Sequence, residues 1–264
     1  MQSIRLLHLT DPHLFGDETR TLYGVRTAES LQLVLDAALG GGPPPSAVIV
    51  TGDIGDDLSA AAYANFRRAL SRCGAPVYCV PGNHDDPKLM ASLLDDDGFQ
   101  FGDCARLGEW GLVMLDTSLP GEAGGRLSEA ELERFEAQLG ALGKVPVVVG
   151  MHHPPIPVGS AWLDEVGLQD RHRFLDVVDR HPQVCVVLCG HVHQELDTLR
   201  GNVRLLATPS TCAQFTPRTP RCVMDPRPPG YRWLSLGDDG TIVTGVGWVP
   251  HTATSAVEEE LGRS

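Results

Sequence analysis

No apolar run in the chain approaches the roughly 18–20 residues of a membrane-spanning helix, so no membrane partner is expected. Basic charge is scarce. Lys and Arg together number 21 against 34 Asp and Glu, a formal net charge of −13. A surface of that sign repels polyanions, which argues against nucleic acid as a partner. The seven cysteines, at 73, 79, 104, 185, 189, 212 and 222, lack the paired spacings of a disulfide framework or a zinc knuckle. They are read as buried reduced thiols, which implies a cytoplasmic protein. The first residues hold neither a long apolar stretch nor a small-residue cleavage site, so no signal peptide is expected there.

What is present fits a loop-rich globular chain. The 264 residues are 42% hydrophobic, enough for a sizeable core, and the 29 Gly and 20 Pro gather in loops at 40–45, 154–159 and 217–230. Apolar, β-branched runs predict strands at Ile4–Thr10, Ala47–Thr51, Val77–Val80, Leu112–Asp116, Val145–Gly150 and Val184–Cys189. Helical spacing predicts helices at Thr27–Leu39, Ser59–Ser71, Ser128–Leu142 and Leu168–Arg180, with Thr27 and Ser128 as N-caps and Ser128-x-x-Glu131 as a capping box. This alternation is the signature of an α/β fold with mostly parallel pairing in its first half. From 194 to 248 the pattern turns to strands and turns. Nothing resembling a linker divides the chain, so 1–264 is expected to form a single domain.

The polar residues follow the strands. Asp11 and His13 leave the first strand, Asp53 the second, and Asn83, His84 and Asp85 the third; His152 and His153, then His191 and His193, follow two later ones. Ligands of open α/β sheets sit outside the carboxyl ends of the strands, so five such exits define a candidate site. Gly-Asp and Asp-x-His are common fragments. Gly-His-x-His is not: with this many Gly and His, about 0.04 occurrences are expected by chance. An isolated histidine at a strand end is more often a cap or a surface residue, and His8, His172, His181 and His251 are assigned such roles. Asp56 and Asp57 read either as a helix-start cap and a solvated face or as groups orienting a ligand.

Mixed oxygen and nitrogen donors without thiolate suit manganese, iron or zinc. Asp11, His13, Asp53, Asn83, His152, His191 and His193 are too many donors for one ion and about right for two, and two adjacent metals can clamp the attacking and leaving oxygens of a phosphoryl displacement. Two divalent ions, two carboxylates and a bridging hydroxide leave one positive charge, which matches a phosphodiester.

The fragments Asp11-x-His13, Gly52-Asp53, Gly82-Asn83-His84-Asp85, His152 and Gly190-His191-x-His193 together resemble the signature of the calcineurin-like metallophosphoesterases. Within that superfamily, Leu9–Phe15, Ser160–Asp164, Leu205–Phe215 and the Pro-Gly-Tyr-Arg stretch at 229–232 are similar to bacterial class III cyclic-AMP phosphodiesterases. The resemblance spans residues 3–248. It implies a four-layer α/β/β/α sandwich with two divalent or trivalent metal ions, iron or manganese before zinc. One ion would take Asp11, His13 and His193 and the other Asn83, His152 and His191, with Asp53 bridging and His153 behind His152. It further implies a cyclic nucleotide as substrate, with Asn83, His84 and His193 against its phosphate. On this resemblance a metal-bridging hydroxide would attack phosphorus, and His84 would protonate the departing 3′ oxygen as the catalytic acid or at least stabilise its charge. Asp85 either orients His84 or a ligand, or shapes the turn. Trp162 and Phe215 either pack or meet the nucleotide. The expected reaction is hydrolysis of 3′,5′-cyclic AMP to 5′-AMP. A broader phosphodiesterase or phosphatase and a non-catalytic metal-binding interaction module are the rivals. The apolar hairpin around Thr241–Val249 offers a surface for a homodimer.

Overall fold

A computed structural model describes residues 3–96 and 98–250. His251, and the ends of the expected 1–264 domain, lie outside the described residues. The first half runs through β1 (Ser3–Leu9), a two-residue pair β2 (Thr21–Leu22) and β3 (Val25–Arg26), α1 (Thr27–Gly40), β4 (Ala47–Val50), α2 (Ala60–Leu70), β5 (Val77–Cys79), α3 (Pro87–Leu93) and β6 (Phe99–Phe101). The second half runs through β7 (Cys104–Leu107), β8 (Trp110–Leu115), α4 (Glu129–Leu142), β9 (Val147–Met151), α5 (Ala161–Asp164), α6 (Arg171–Arg180), β10 (Val184–Cys189), β11 (Leu196–Arg200), β12 (Val203–Ala207), a second short pair β13 (Gln214–Phe215) and β14 (Met224–Asp225), β15 (Gly230–Gly237) and β16 (Ile242–Trp248).

Two six-stranded sheets result, ordered β16-β15-β1-β4-β5-β6 and β11-β12-β10-β9-β8-β7. The strands β1-β4-β5-β6 are parallel, as are β8-β9-β10-β12, so parallel pairing runs through both halves; antiparallel strands close both edges of the second sheet and the β16 edge of the first. The period of two along each strand sorts its side chains between two apolar layers. In β4, Val48 and Val50 face helices α1–α3 while Ala47 and Ile49 face the other sheet. In β8, Val113 and Leu115 face α4 and α6 while Leu112 and Met114 point inward. Three apolar clusters therefore fill the three gaps of a four-layer α/β/β/α sandwich, as expected. Among the described residues no helix is long and apolar enough to cross a membrane.

Local expectations fare unevenly. Ser59 caps α2 through its hydroxyl, and Ser128 accepts from the Glu131 N–H, which is half of the capping box. The other half is absent: the Glu131 carboxylate takes the Asp116 N–H and binds Arg134 instead. Thr27 is the first residue of α1, not its cap; Arg26 holds the cap position without a side-chain hydrogen bond. Strands β6 and β7 and helix α3 were not expected, because each is short and half-exposed. The C-terminal hairpin is not free-standing, since β15 pairs with β1 and extends the first sheet. All seven cysteines are free, but Cys104 and Cys185 are only half-buried and Cys222 is exposed. His8 is neither cap nor surface residue but is fully buried in β1.

Candidate metal centre

The exits of β1, β4 and β5 from one sheet and of β9 and β10 from the other converge at one edge of the sandwich. Backbone hydrogen bonds join the loops there: Asp11 N–H to Gly52 O at 3.1 Å, His13 N–H to Asp53 O at 2.9 Å, and Gly190 N–H to His152 O at 3.0 Å. Glycines permit the approach. A Cβ on Gly82 would collide with the Asp53 carboxylate, and one on Gly190 with the Thr10 hydroxyl. Five site residues, Asp11, His13, Asp53, His191 and His193, hold φ between 46° and 69°. That left-handed backbone costs about 1–3 kcal/mol each outside glycine. It turns successive side chains of Asp11-x-His13 and His191-x-His193 toward a common centre.

The side chains come together as expected. Asp11, His13 and His193 form one cluster, Asp11, Asp53 and His152 another, and His13, Asp53 and His84 a third. Asp53 Oδ2 lies 3.7 Å from His13 Nε2 and 3.5 Å from His152 Nε2, between the two halves of the site. Asn83 Oδ1 stands 3.1 Å from His152 Nε2 and 3.0 Å from His191 Nδ1. All seven expected ligands therefore meet at this edge.

Ring protonation tests whether the set fits metal. His152 donates Nδ1–H to Thr51 O at 2.6 Å, His193 donates Nδ1–H to Ala213 O at 2.8 Å, and His13 donates Nδ1–H to the Asp56 carboxylate at 3.0 Å. Against burial, the Asp53 carboxylate raises the His152 pKa to about 9; in the neutral form that ligates a metal, each ring keeps its one proton on Nδ1 and all three Nε2 atoms are unprotonated. They nevertheless face lone pairs: His13 Nε2 meets His193 Nε2 at 3.2 Å, and His152 Nε2 meets the Asn83 carbonyl oxygen. His191 Nε2 is buried without a partner. Facing lone pairs in a buried site require positive charge between them, and outer hydrogen bonds to carbonyls and carboxylates are how metal-binding histidines are oriented. The donor set fits a metal site.

Electrostatics agree. Burial raises the proton affinity of Asp11 and Asp53, but His193 beside the first and His152 beside the second hold both carboxyls below their ordinary values. Burial and then neighbouring His153 and His152 keep His191 neutral. His153 also has a pKa pushed down to about 3, by burial and then by His152. Its ring nitrogens are taken by Thr117 Oγ1 at 2.8 Å and Ala123 O at 3.1 Å. His153 therefore braces His152 from behind, although it lies near enough to His152 and His191 to complete a ligand triangle.

His84 is 46% exposed and stands at the mouth of the site. Its Nδ1 is 3.1 Å from Asp56 Oδ1, and this contact, against burial, raises its pKa to about 9. Asp56 thus holds His13 and His84 together, which resolves its open role. Asp85 does not touch His84. It accepts N–H groups from Ile54, Gly55 and Gly82 and the Tyr63 hydroxyl, and so shapes the turn. Asp57 accepts from Gly16 and Ser59. Phe215 is buried with its ring stacked on His193 at 4.5 Å, and Trp162 meets Phe215 edge-on at 5.0 Å, so both pack. The hydroxyls of Thr10 and Thr51 are buried against the cluster, a contact the sequence did not flag. Their adjacency to Asp11 and Gly52 was the available signal.

The calcineurin-like phosphoesterase family profile matches residues 4–195. A protein of Pseudomonas aeruginosa named 3′,5′-cyclic adenosine monophosphate phosphodiesterase CpdA is 37% identical over 92% of this chain and 89% of its own. Its namesake in Escherichia coli K12 is 39% identical over the same shares. Among solved structures, a dimetal phosphatase from Danio rerio is 15% identical and superposes with a TM-score of 0.64 over 91% of this chain and 98% of its own. With this profile over most of its length and relatives well above 30% identity, the chain belongs to the calcineurin-like phosphoesterase family.

Proposed function

We propose that the protein is a metal-dependent phosphoric diester hydrolase that opens 3′,5′-cyclic AMP to 5′-AMP. The observation that carries the reading is the meeting of two donor sets at Asp53, under a histidine paired with an adjacent carboxylate. One ion is assigned to Asp11, His13 and His193, the other to Asn83, His152 and His191, and Asp53 is shared. Iron and manganese suit this thiolate-free set, and zinc is third. When bound, such ions supply Lewis acidity and a water acidic enough to act near neutral pH.

The chain's own residues do the rest. Asn83 turns its carbonyl oxygen to His152 and His191, which leaves its amide N–H groups for a phosphate oxygen. His193, fixed by Ala213 and Phe215, borders the same position. His84 is bound through Nδ1 to Asp56, so its Nε2–H is the proton available to the O3′ leaving group as the P–O3′ bond breaks. General acid catalysis of this kind is worth about 10²–10⁴-fold. The pairing of His84 with Asp56 also counts against a non-catalytic module, which has no use for a proton donor at the site mouth.

The named activity of the 37% and 39% identical relatives supports the substrate. A broader diesterase accepting 2′,3′-cyclic nucleotides or glycerophosphodiesters is the second reading, because the metal ligands specify chemistry and not the nucleoside. Comparing kcat/KM for 3′,5′-cyclic AMP, 2′,3′-cyclic AMP, glycerophosphocholine and an aryl phosphodiester separates them. A preference of about tenfold or more for 3′,5′-cyclic AMP is expected; a flat or reversed order replaces this reading with the broader one. Seven free thiols support a cytoplasmic placement. The edge strand β16, with Val243 54% exposed, is the surface to which we assign a homodimer contact.

A further inference from the structure

We propose that His8 is a positioning residue for this centre: through Thr51 and Thr10 it sets the direction of a buried hydrogen-bond chain that ends on the Asp11 carboxylate. The proposal rests on the metal reading above. The chain starts at Arg232, a guanidinium only 1% exposed, whose Nε–H donates to Thr208 Oγ1 at 3.2 Å. The same hydroxyl lies 2.7 Å from His8 Nδ1. Since the Arg232 partner is itself a donor, the Thr208 proton goes to Nδ1, and His8 carries its own proton on Nε2. Nε2–H then donates to Thr51 Oγ1 at 2.9 Å, Thr51 donates to Thr10 Oγ1 at 2.8 Å, and Thr10 donates to Asp11 Oδ2 at 2.6 Å.

Each link has one donor and one acceptor, and the direction runs from a buried cation to a buried anion. The alternative acceptor for Thr10, the Thr51 carbonyl, is farther away at 3.4 Å and already holds the His152 Nδ1–H. His8, Thr10, Thr51, Thr208 and Asp11 are all 0% exposed, so water cannot replace a missing link. At the end of the chain Asp11 can only accept. Its Oδ2 accepts from Thr10, both oxygens share the His191 N–H at 3.1 Å, and Oδ1, 3.3 Å from His193 Nε2, faces the ligand cluster. Thr51 serves both halves of the site, with its hydroxyl aligned toward Asp11 and its carbonyl holding His152. No ligand of the centre touches His8, so its effect passes through the two threonines.

The test measures Mn²⁺ affinity of the full chain by competition with a chelating dye, with folding followed by circular dichroism. The parent is compared with His8→Leu, Thr10→Val and His8→Gln. Outer hydrogen-bond partners of metal ligands typically contribute about 10–100-fold in affinity. His8→Leu and Thr10→Val are therefore expected to bind Mn²⁺ about tenfold or more weakly. His8→Gln, whose amide oxygen and nitrogen are spaced like the ring nitrogens, is expected to stay close to the parent. Nitrogen-15 spectra of the parent should show His8 as the Nε2–H tautomer. A folded His8→Leu protein with parental affinity, a His8→Gln loss equal to that of His8→Leu, or an Nδ1–H tautomer each overturns the proposal. If His8→Leu does not fold, parental affinity in Thr10→Val overturns it as well. A parent that binds no Mn²⁺ overturns the metal reading itself, and the His8 role with it.

Discussion

The Nε2 atoms of His13 and His193 face one another 3.2 Å apart, and in its neutral form each ring gives its one proton to an acceptor on the far side. Two lone pairs held this close, with Asp11 Oδ1 3.3 Å from one of them, form an arrangement that a cation stabilises and that a neutral protein resists. Metal should therefore act as a folding ligand. Adding Mn²⁺ at about 100 times its dissociation constant is expected to stabilise the chain by about 2.7 kcal/mol. Thermal melts with Mn²⁺ and with chelator check this, and His193→Ala should lose most of the difference.

Asp56 is the anion that raises the proton affinity of His84. Only protonated His84 can serve the leaving group, so kcat should fall as pH rises through its pKa. In Asp56→Asn the raising hydrogen bond to a charge is gone, the pKa drops, and the alkaline limb of the profile moves to lower pH. Bound cations act in the same direction in both proteins, so the comparison is made at saturating metal. A limb that stays in place would remove His84 as the proton donor.

Much of this was legible in the residues, and the divide has physical causes. The seven expected ligands are short-range signals: each sits one to four residues past an apolar run, and a parallel sheet delivers strand ends to one edge. The Ser128 cap was equally visible. The roles of Asp56, Asp85 and His8 were not. Each depends on a partner distant in sequence, as His8 does on Thr208, and no local pattern reports such a contact. The left-handed backbone at Asp11, His13, Asp53, His191 and His193 was also hidden, because none of them is glycine and propensity argues against it. Strands β6 and β7 escaped because their part-exposed residues lack the apolar run that marks the equally short but fully buried β4 and β5.

At Gly190 the second sheet packs closely against residues of the first. A Cβ there would collide with Thr10 Oγ1 and stand 2.8 Å from Asp11 Oδ2 and 2.9 Å from Thr51 O. Gly190→Ala should destabilise the fold by about 1–3 kcal/mol, as overpacking does. It should weaken metal binding more than the stability loss alone implies. Urea unfolding alongside metal titration measures both quantities.

His8 makes acid stability predictable. Burial, and then the Arg232 guanidinium, push its pKa down to about 3, whereas in the unfolded chain it lies near 6.5. Between those values the unfolded chain binds a proton that the folded chain refuses, so stability rises with pH across that window and is fully present above it. His8→Gln, which cannot titrate, should show a shallower loss of stability from pH 6.5 downward. Unfolding free energies measured at pH 7, 6, 5 and 4 for both proteins check the slope.

The most direct measurement is chromatographic product analysis of the purified chain with 3′,5′-cyclic AMP, in chelator and after readdition of Mn²⁺ or Fe²⁺. The dinuclear phosphodiesterase reading predicts 5′-AMP as the product, no turnover in chelator, and recovery with metal. Turnover that persists in chelator, or 3′-AMP as the product, would contradict it.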